Sequence, residues 1–518
     1  MTGTVLALPV ALPLLASGLA MAATRHPLLR RALTLGVSAA VLALGVALLV
    51  HTSDGSVLSH QLGGWLPGVA IVFAADTLGA LMLTATALLV VVCLAFAAAA
   101  GDDRHPLFGS LALILSAGVY GALLTADLFN LFVLIEVMLV PSYVLLTLTG
   151  GRQRVAAGRI YLTYNLLAST VFLGGLAMLY GVTGTVNLGE LAGAAQDSPR
   201  VALAGAVILL AMAAKASVVP LHGWLPRTYP FATPAVTALF SGLLTKVGLY
   251  VIIRVYAVVY EGEGAYLWLL LAAAWLTMVV GVLGAVGQQA MREILTFHMV
   301  SQVGYILLGL ALFSAAGLTA AIFYLVQYVL VKAALLLCSG AVETAYGTDR
   351  LDRLGGLAGR EPLLTVAFIV AALSLAGLPP LSGFVAKLSL IRAAVLEADI
   401  VSVTIAVSVS LLTLLSMIKI WSGVFAGRLS VPAREAWTPA AAEGAPGSAG
   451  AAGAFGTAGS FGPPEDPRTR VALVLPAVVL AAFSLWLGVG AQPLLELAET
   501  AAEGLLDTSA WVEAVMTP

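Results

Sequence analysis

The stretch Asp127-Leu-Phe-Asn-Leu-Phe-Val-Leu-Ile-Glu136-Val-Met-Leu-Val-Pro141 is apolar along most of its length. Besides Asp127 at its start, it carries a carboxylate near its middle, Glu136. Its length and hydropathy predict a helix that crosses a bilayer. A charged side chain at that depth costs on the order of several kcal/mol. Glu136 must therefore be neutral, paired with a positive charge, or functional.

The composition of the whole chain agrees with this membrane location. Of its 518 residues, 61% are hydrophobic and only 10% are charged, with a mean hydropathy of +1.04. Soluble domains carry about 25% charged residues. The chain is therefore predicted to be a polytopic membrane protein.

Several classes of chemistry are not indicated by the sequence. The two cysteines, Cys93 and Cys338, lie in apolar runs and match neither a disulfide framework nor a metal-ligand spacing. The sequence contains no nucleotide-binding loop in a βαβ context, no nucleophile triad and no nucleic-acid-binding surface. We therefore predict that the chain is not an enzyme, has no cofactor or metal and binds no nucleic acid.

A bilayer span needs about 20 predominantly apolar residues, and backbone groups without water must pair within helices. The predicted fold is all-α, with 14 spans near residues 3–22, 28–50, 72–99, 107–125, 128–149, 159–182, 201–219, 235–258, 266–287, 294–314, 316–343, 363–396, 400–425 and 470–491. The first span lacks a basic flank and a cleavage site, so it is not interpreted as a signal peptide.

The arginines predict the orientation of these spans. Sixteen of the nineteen arginines fall in the odd-numbered loops or beside them. Positive charge marks the cytoplasmic side of a membrane. Both termini are therefore predicted to be extracytoplasmic. Residues 493–516 alternate paired leucines with acidic residues, which predicts an amphipathic helix at the outer surface or a frayed tail.

Two spans share an interrupted pattern. The seventh ends in Pro220-Leu-His-Gly-Trp224, and the twelfth is interrupted by Pro380-Leu-Ser-Gly-Phe384. Helices broken at matching positions in two halves indicate a transport site built from repeats. The separation of five spans predicts that the repeats are inverted; the alternative is a chance match of a short motif.

Lysine and arginine are separated along the chain. All five lysines, Lys215, Lys246, Lys332, Lys387 and Lys419, lie inside predicted spans, whereas nearly all arginines lie in loops or near span ends. Lysine can release a proton when it is buried, whereas arginine does not. The pattern predicts switchable charge at depth and fixed charge at the surface. The alternative is a genome that favours arginine throughout.

The candidate proton-carrying residues follow from this separation. The main candidates are Glu136, Lys215, Lys246, His298, Lys332 and Lys387. The accessory candidates are His222, Ser301, Tyr328 and Lys419. His298 can relay protons near neutral pH, or it can simply bond to Ser301 or Gln302. Lys419 lies near a span end and can instead extend its amine to the interface.

Five motifs in order resemble the proton-conducting transporter family: Asp127-Leu-Phe-Asn-Leu-Phe with Glu136, Lys215-Ala-Ser-Val-Val-Pro-Leu-His-Gly-Trp-Leu-Pro226, Ser241-Gly-Leu-Leu-Thr-Lys246-Val-Gly-Leu-Tyr250, Ser301-Gln-Val-Gly-Tyr305 and Gly377-Leu-Pro-Pro-Leu-Ser-Gly-Phe384. That family includes the L-, M- and N-type antiporter-like subunits of respiratory complex I, relatives in membrane-bound hydrogenases, and the A-type and D-type subunits of Mrp-type cation/proton antiporters. The resemblance covers about residues 70–425.

Within the family the chain is most similar to the D-type subunits of Mrp antiporters. M-type subunits usually carry glutamate where this chain has Lys387, and L-type and A-type subunits have a longer C-terminal extension than a chain that ends at Pro518. Relatives often place a histidine one turn before the lysine of the eleventh span. Here Gln327-Tyr328 precedes Lys332, so a histidine relay is not expected at that point.

The resemblance implies two inverted five-helix repeats, a Glu136–Lys215 pair, and a relay through Lys246, His298, Lys332 and Lys387. The predicted segments are an N-terminal three-helix segment at 1–106, a first repeat at 107–258, a second repeat at 266–425, a flexible cytoplasmic loop at 426–469, and a last span with an acidic tail at 470–518.

Three functions remain open on the sequence. The first is a subunit of a multi-subunit Na+/H+ antiporter in a prokaryotic plasma membrane, where it contacts other subunits, lipid, protons and monovalent cations. The second is a proton-pumping subunit of a redox-driven complex. The third is a structural subunit that conducts nothing, and the separation of lysine from arginine argues against it.

Overall fold

The computed structural model describes residues 3–65, 70–427 and 467–517, with residues 467–470 described as backbone only. Its helices in chain order are α1 (Leu8–Ala22), α2 (Pro27–Thr52), α3 (Thr77–Ala100), α4 (Phe108–Leu124), α5 (Leu128–Thr147), α6 (Arg152–Thr183), α7 (Ala194–Asp197), α8 (Pro199–Lys215), α9 (Trp224–Thr228), α10 (Pro234–Val259), α11 (Leu267–Gly287), α12 (Met291–Leu312), α13 (Ala315–Tyr346), α14 (Leu357–Arg360), α15 (Pro362–Ala376), α16 (Ser382–Leu396), α17 (Ile400–Ile420), α18 (Pro467–Val489), α19 (Gln492–Leu506) and α20 (Ser509–Met516).

The predicted many-helix membrane fold is confirmed. In the described part of the chain, eleven helical segments are long and apolar enough to cross a membrane. The other three predicted spans correspond to the shorter apolar helix α4 and to two helices that are broken. Of the predicted loop at 426–469, residues 428–466 lie outside the described residues.

One predicted span begins differently. The expected helix at 72–99 starts with a strand, β2 (Val72–Ala75), which pairs antiparallel with β1 (Leu58–Gln61), and α3 follows it. The strand precedes Asp76, whose carboxylate accepts the backbone N–H of Gly79 and so caps α3. Apolar content alone does not separate a buried strand from the first turn of a helix, which explains the error.

Both predicted breaks are present. Helix α8 ends at Lys215, and the chain then turns through Ser217, whose φ of 62° is unusual for a residue with a side chain. In the second half α15 ends at Ala376, Gly377 takes a φ of 87°, and α16 starts after the intervening prolines. Proline removes a backbone donor and clashes with the preceding turn, so it ends a helix. The inverted relation of the two halves stays a prediction.

Two helices form the centre of the bundle. Helices α10 and α13 are buried along their whole apolar length, whereas α1, α2, α6, α11 and α17 expose an apolar face. Helix α13 packs against α3, α10, α12, α15, α16 and α18. Since α10 carries Lys246 and α13 carries Lys332, both amines lie at the least accessible place in the fold.

The C-terminal segment folds as the predicted amphipathic helix. Helix α19 buries Leu494, Ala498 and Leu505 on one side. Helix α20 places Trp511 against Arg254, whose guanidinium carbon lies 5.1 Å from the centroid of the indole ring. Arg254 in turn pairs with Asp76, Nη2 to Oδ2, at 2.6 Å. The tail therefore covers a buried ion pair. The sequence does not indicate this pair, because the distribution of arginines predicts that they lie in loops or near span ends.

Candidate functional site

Glu136 and Lys215 are joined through a third side chain. The ammonium of Lys215 donates to the hydroxyl of Ser169 at 2.9 Å, and that hydroxyl donates to the carboxylate of Glu136. Lys215 is 4% exposed, and it interacts electrostatically with Glu136. The implied pair is thus bridged by a serine from α6.

The break after α8 holds Lys215 in place. The indole of Trp224 donates to the carbonyl of Ala214 at 3.0 Å, so one carbonyl freed by the break is satisfied. The backbone N–H of Val219 donates to the hydroxyl of Thr277 on α11 at 3.1 Å. These bonds fix the end of α8, where the lysine would otherwise sit on a fraying turn.

Lys246 lies one helix further into the bundle. Its ammonium donates to the carbonyl of Ser241 at 2.5 Å and to the hydroxyl of Thr245 at 3.3 Å. It also lies 4.1 Å from the centre of the Tyr328 ring, which faces a cation with its negative π surface. Helices α8 and α10 touch nearby, where a methyl group on Gly248 would meet the backbone nitrogen of Ala216 at 3.0 Å.

Lys332 and His298 lie between Lys246 and Lys387. Lys332 is fully buried, and its ammonium has no hydrogen-bond partner among the described residues. It interacts electrostatically with Lys246 on one side and with the imidazole of His298 on the other. Nε2 of His298 bonds to Ser416 of α17 at 2.5 Å, in place of the expected alternatives on its own helix.

Lys387 follows the second break. Its ammonium donates to the carbonyl of Ala376 at 3.1 Å and to the hydroxyl of Ser410 at 3.0 Å. It also lies 5.0 Å from the ring centroid of Tyr305. The carbonyl is available because α15 ends at that residue. His298 interacts electrostatically with this lysine as well as with Lys332.

The accessory candidates occupy different roles. The ammonium of Lys419 donates to the last carbonyls at the end of α11, those of Val286 and Gln288, at 2.9 and 2.6 Å. This contact caps a helix C-terminus and favours a structural role. Ser301 donates to the carbonyl of Met278 and so joins two helices.

His222 and Tyr328 differ from those two. Nδ1 of His222 has no hydrogen-bond partner in the described part of the chain, and the residue lies in the broken segment beside Pro220. Tyr328 is fully buried under Lys246, and its hydroxyl donates to the carbonyl of Met299 at 3.4 Å. Roles for both in proton transfer stay predictions.

The serines that complete the site are not among the residues predicted from the sequence. Ser169 is the clearest case, since it follows Tyr161 and Asn165 at intervals of four and therefore lies on the same face of α6. Extending that polar stripe by one turn would have found it. Ser410 and Ser416 have no comparable signal, because α17 carries serine on several faces.

The site contains one carboxylate, four buried amines and one imidazole. Ser169 joins Glu136 and Lys215 by hydrogen bonds, and electrostatic interactions link Lys246, Lys332, His298 and Lys387. Burying a lysine near the centre of a membrane costs about 2.5–3.5 kcal/mol on insertion scales. A site of this kind defines a class of protein, a polytopic membrane protein with ionisable side chains buried among its helices.

Residues 125–413 match the family model described as NADH:quinone oxidoreductase/Mrp antiporter, transmembrane region. The chain is 34% identical over 98% of both chains to the D-type subunit of the Na+/H+ antiporter of Alkalihalophilus pseudofirmus. It is 32% identical over the same share to the D-type subunit of the Bacillus subtilis Na+/H+ antiporter. The chain therefore belongs to the NADH:quinone oxidoreductase/Mrp antiporter family, and the resemblance inferred from the five motifs is confirmed.

Two solved structures are similar along the whole chain. A chain of the Mrp complex from a Dietzia species is 50% identical and superposes with a TM-score of 0.91, with 100% of both chains covered. A chain of the membrane-bound sulfane sulfur reductase, an archaeal respiratory membrane complex, is 24% identical with a TM-score of 0.86 and 99% and 100% coverage. The second likeness shows the fold alone.

Proposed function

We propose that this chain is a subunit of a multi-subunit antiporter that exchanges a monovalent cation, Na+ in the named relatives, for protons. It acts as a secondary ion transporter and not as an enzyme. It assembles with other membrane subunits in the plasma membrane of a prokaryote, with both termini outside. The observation that carries the proposal is the hydrogen-bonded chain from Lys215 through Ser169 to Glu136.

This chain of bonds is oriented for proton transfer. The ammonium donates to the serine hydroxyl, and the hydroxyl donates to the carboxylate, so each group already points its proton at the next acceptor. When the proton of the hydroxyl moves to Glu136 and a proton of Lys215 replaces it, the result is a neutral amine and a neutral acid. Both charges disappear together, which removes the desolvation penalty of two buried charges.

The remaining groups pass the change along the membrane plane. A positive charge on Lys246 disfavours one on Lys332, and His298 is influenced by Lys332 and Lys387. Ionisable groups that interact electrostatically influence one another's proton occupancy. In this proposal a change at the Glu136–Lys215 pair reaches Lys246 across the contact between α8 and α10 and alters the proton occupancy of the second half.

Lys215→Ala and Glu136→Ala test this function in everted membrane vesicles that contain the whole complex. Both variants are expected to lose cation-dependent proton exchange, measured with a fluorescent pH probe when Na+ is added without an electron donor. Omitting the donor matters, since a redox-driven pump would be silent in the parent as well.

The control for these variants is Asp127→Asn. Asp127 caps α5 through its Oδ1, and asparagine retains an oxygen for that bond, so exchange should stay near the parent value. Co-purification with the other subunits confirms assembly. Near-normal exchange in an assembled Lys215→Ala or Glu136→Ala complex would contradict the proposal.

A further inference from the structure

A charged cluster lies at the arginine-rich end of the bundle, where helices from both halves meet. Arg292 at the start of α12 pairs with Glu343 at the end of α13, Nη2 to carboxylate, at 2.6 Å. Asp102, just after α3, interacts electrostatically with Arg292 and with Arg154 of α6. Glu343 also interacts with Asp102, Arg154 and Asp349. The cluster therefore holds three carboxylates, Glu343, Asp102 and Asp349, that share the field of two arginines.

Glu343 is connected to the middle of the membrane by one face of α13. Residues 332, 339 and 343 are separated by seven and four positions, so their side chains project within about 40° of one another on a helix of 3.6 residues per turn. At 1.5 Å per residue, Ser339 lies about 10 Å from Lys332 and about 6 Å from Glu343 along the axis. Lys332, Ser339 and Glu343 thus form a polar stripe along the second half of α13.

Two members of this stripe are buried without a protein partner. The hydroxyl of Ser339 and the ammonium of Lys332 are both fully buried, and neither has a hydrogen-bond partner among the described residues. Buried polar groups in native structures are nearly always hydrogen-bonded. Water is the partner that remains available to them. Ser416 and Ser410 of α17, in contrast, donate to backbone carbonyls.

Asp102, which interacts electrostatically with Glu343 at the head of the stripe, can exchange protons near neutral pH. Burial raises the pKa of Asp102 to about 6, although Thr233, Arg154 and Arg292 oppose this rise and Asp103 adds to it. A carboxyl group of this kind is partly protonated at physiological pH. It can therefore take up a proton at the surface and release it inward.

We propose that this face of α13 is the path by which protons pass between the arginine-rich end of the protein and Lys332. A proton from bulk water binds the carboxylate of Asp102 or Glu343. It then passes through water ordered by the Ser339 hydroxyl to the neutral amine of Lys332, and the carboxylate is regenerated. The path rests on the proposed function and adds to it the entrance that the buried relay needs.

Cysteine labelling tests the path independently of transport. In a Cys338→Ala background, Ser339→Cys in the assembled complex is treated with a small cationic methanethiosulfonate in everted vesicles, and the mass of the chain is measured. The thiol at 339 is expected to be modified, because the reagent and the thiolate both require water. The parent complex, with Cys338 at the same depth about 100° around the helix, is expected to stay unmodified.

Two results of this experiment would overturn the path. One is a Ser339→Cys complex that assembles and is not modified. The other is equal modification of Cys338, which would show general access and no defined stripe. If the parent complex shows no cation-dependent exchange but residue 339 is selectively modified, the proposed function fails and the water path stands.

A pair of valine variants supplies the transport readout. Ser339→Val removes the hydroxyl and fills the stripe, and it is expected to lower proton exchange about fivefold, or about 1 kcal/mol in barrier. Cys338→Val adds similar bulk at the same depth off the stripe and should leave exchange within about twofold of the parent. Equal effects of the two variants would contradict the path, since they would report packing alone.

Glu343→Gln separates the path from the ion pair with Arg292. A proton-collecting carboxylate matters most when protons are scarce, so the loss of exchange should be larger at pH 8.5 than at pH 6.5. The groups that face it, Asp102, Asp349, Arg154 and Arg292, are unchanged in this variant. A loss that is equal at both pH values would assign Glu343 a structural role only. Glu343→Asp should recover most of the activity.

Discussion

The two lysines beside the helix breaks, Lys215 and Lys387, both donate to a serine hydroxyl, but the two serines donate to different acceptors. Each donates to a serine hydroxyl on a neighbouring helix, Ser169 at 2.9 Å and Ser410 at 3.0 Å. In the first half that serine donates onward to the carboxylate of Glu136. In the second half it donates to the carbonyl of Ala376, at 2.8 Å, which also accepts from Lys387 itself.

The difference indicates what each half can do with a proton. A carboxylate can accept a proton and become neutral, whereas a backbone carbonyl can only bind one that remains on its donor. The first site can therefore exchange charge internally, while the second can only hold a charge or release it to another group. Among the described residues no carboxylate pairs with Lys387, and His298 interacts electrostatically with it.

Among the variants that test this comparison of the two halves, the largest effect on proton exchange is expected from alanine substitution of the serine beside each lysine. Ser169→Ala removes the hydroxyl that bonds to both Lys215 and Glu136 and should lower proton exchange about tenfold, equivalent to about 1.4 kcal/mol. Ser410→Ala should lower it less than about threefold, because the carbonyl of Ala376 still accepts from the lysine. Exchange is measured in everted vesicles that contain equal amounts of assembled complex.

Equal losses from the two alanine variants would remove the distinction between the halves. A larger loss from Ser410→Ala would reverse it and make the second serine the proton carrier. Ser169→Thr retains the hydroxyl and serves as the matched control for the first variant. It should recover most of the exchange.

A smaller effect is expected from Gly377, which shapes the second site. Its φ of 87° strains any residue with a side chain, and an added methyl would meet Cδ of Lys387 at 2.6 Å. Gly377→Ala should therefore displace the lysine and lower exchange about threefold. Gly184→Ala has the same kind of strain, with a φ of 74°, but its methyl would meet open space.

Comparing the two glycine variants isolates the contact with Lys387 from backbone strain. If both lower exchange equally at equal assembly, strain alone is responsible and the position of Lys387 is not critical. A selective effect of Gly377→Ala would show that the helix break positions the Lys387 amine for proton exchange.

The smallest effect on transport is expected at Lys419. Lys419→Met removes the cap on α11 and should lower stability by about 1 kcal/mol, because charge-assisted bonds to helix-end carbonyls contribute roughly that amount. Thermal unfolding of the purified complex measures this change. Proton exchange should stay within about twofold of the parent. Lys419→Arg, which keeps the donors, should restore stability, and loss of exchange without loss of stability would instead place this lysine in the relay.

The relation between sequence and structure differs from residue to residue. Glu136 and the buried lysines can be found from the sequence because an ionisable residue within a long apolar run can be identified without knowledge of the fold. Ser169 is harder to find, although its stripe with Tyr161 and Asn165 is visible, because a serine in a helix bonds as readily to its own backbone. The strand at Val72–Ala75 resembles a helix in sequence because apolar content does not report backbone pairing.

The sequence by itself determined that the chain is a bundle of membrane helices, where its helices break, and which side chains carry charge at depth. These properties follow from hydropathy and from proline, which act locally. Only the tertiary structure decided the partners: Ser169 between Glu136 and Lys215, Ser416 on His298, and the helix end under Lys419. The physical reason is that a hydroxyl or a carbonyl becomes a partner only through the rotation and depth of two packed helices, and no local pattern encodes both.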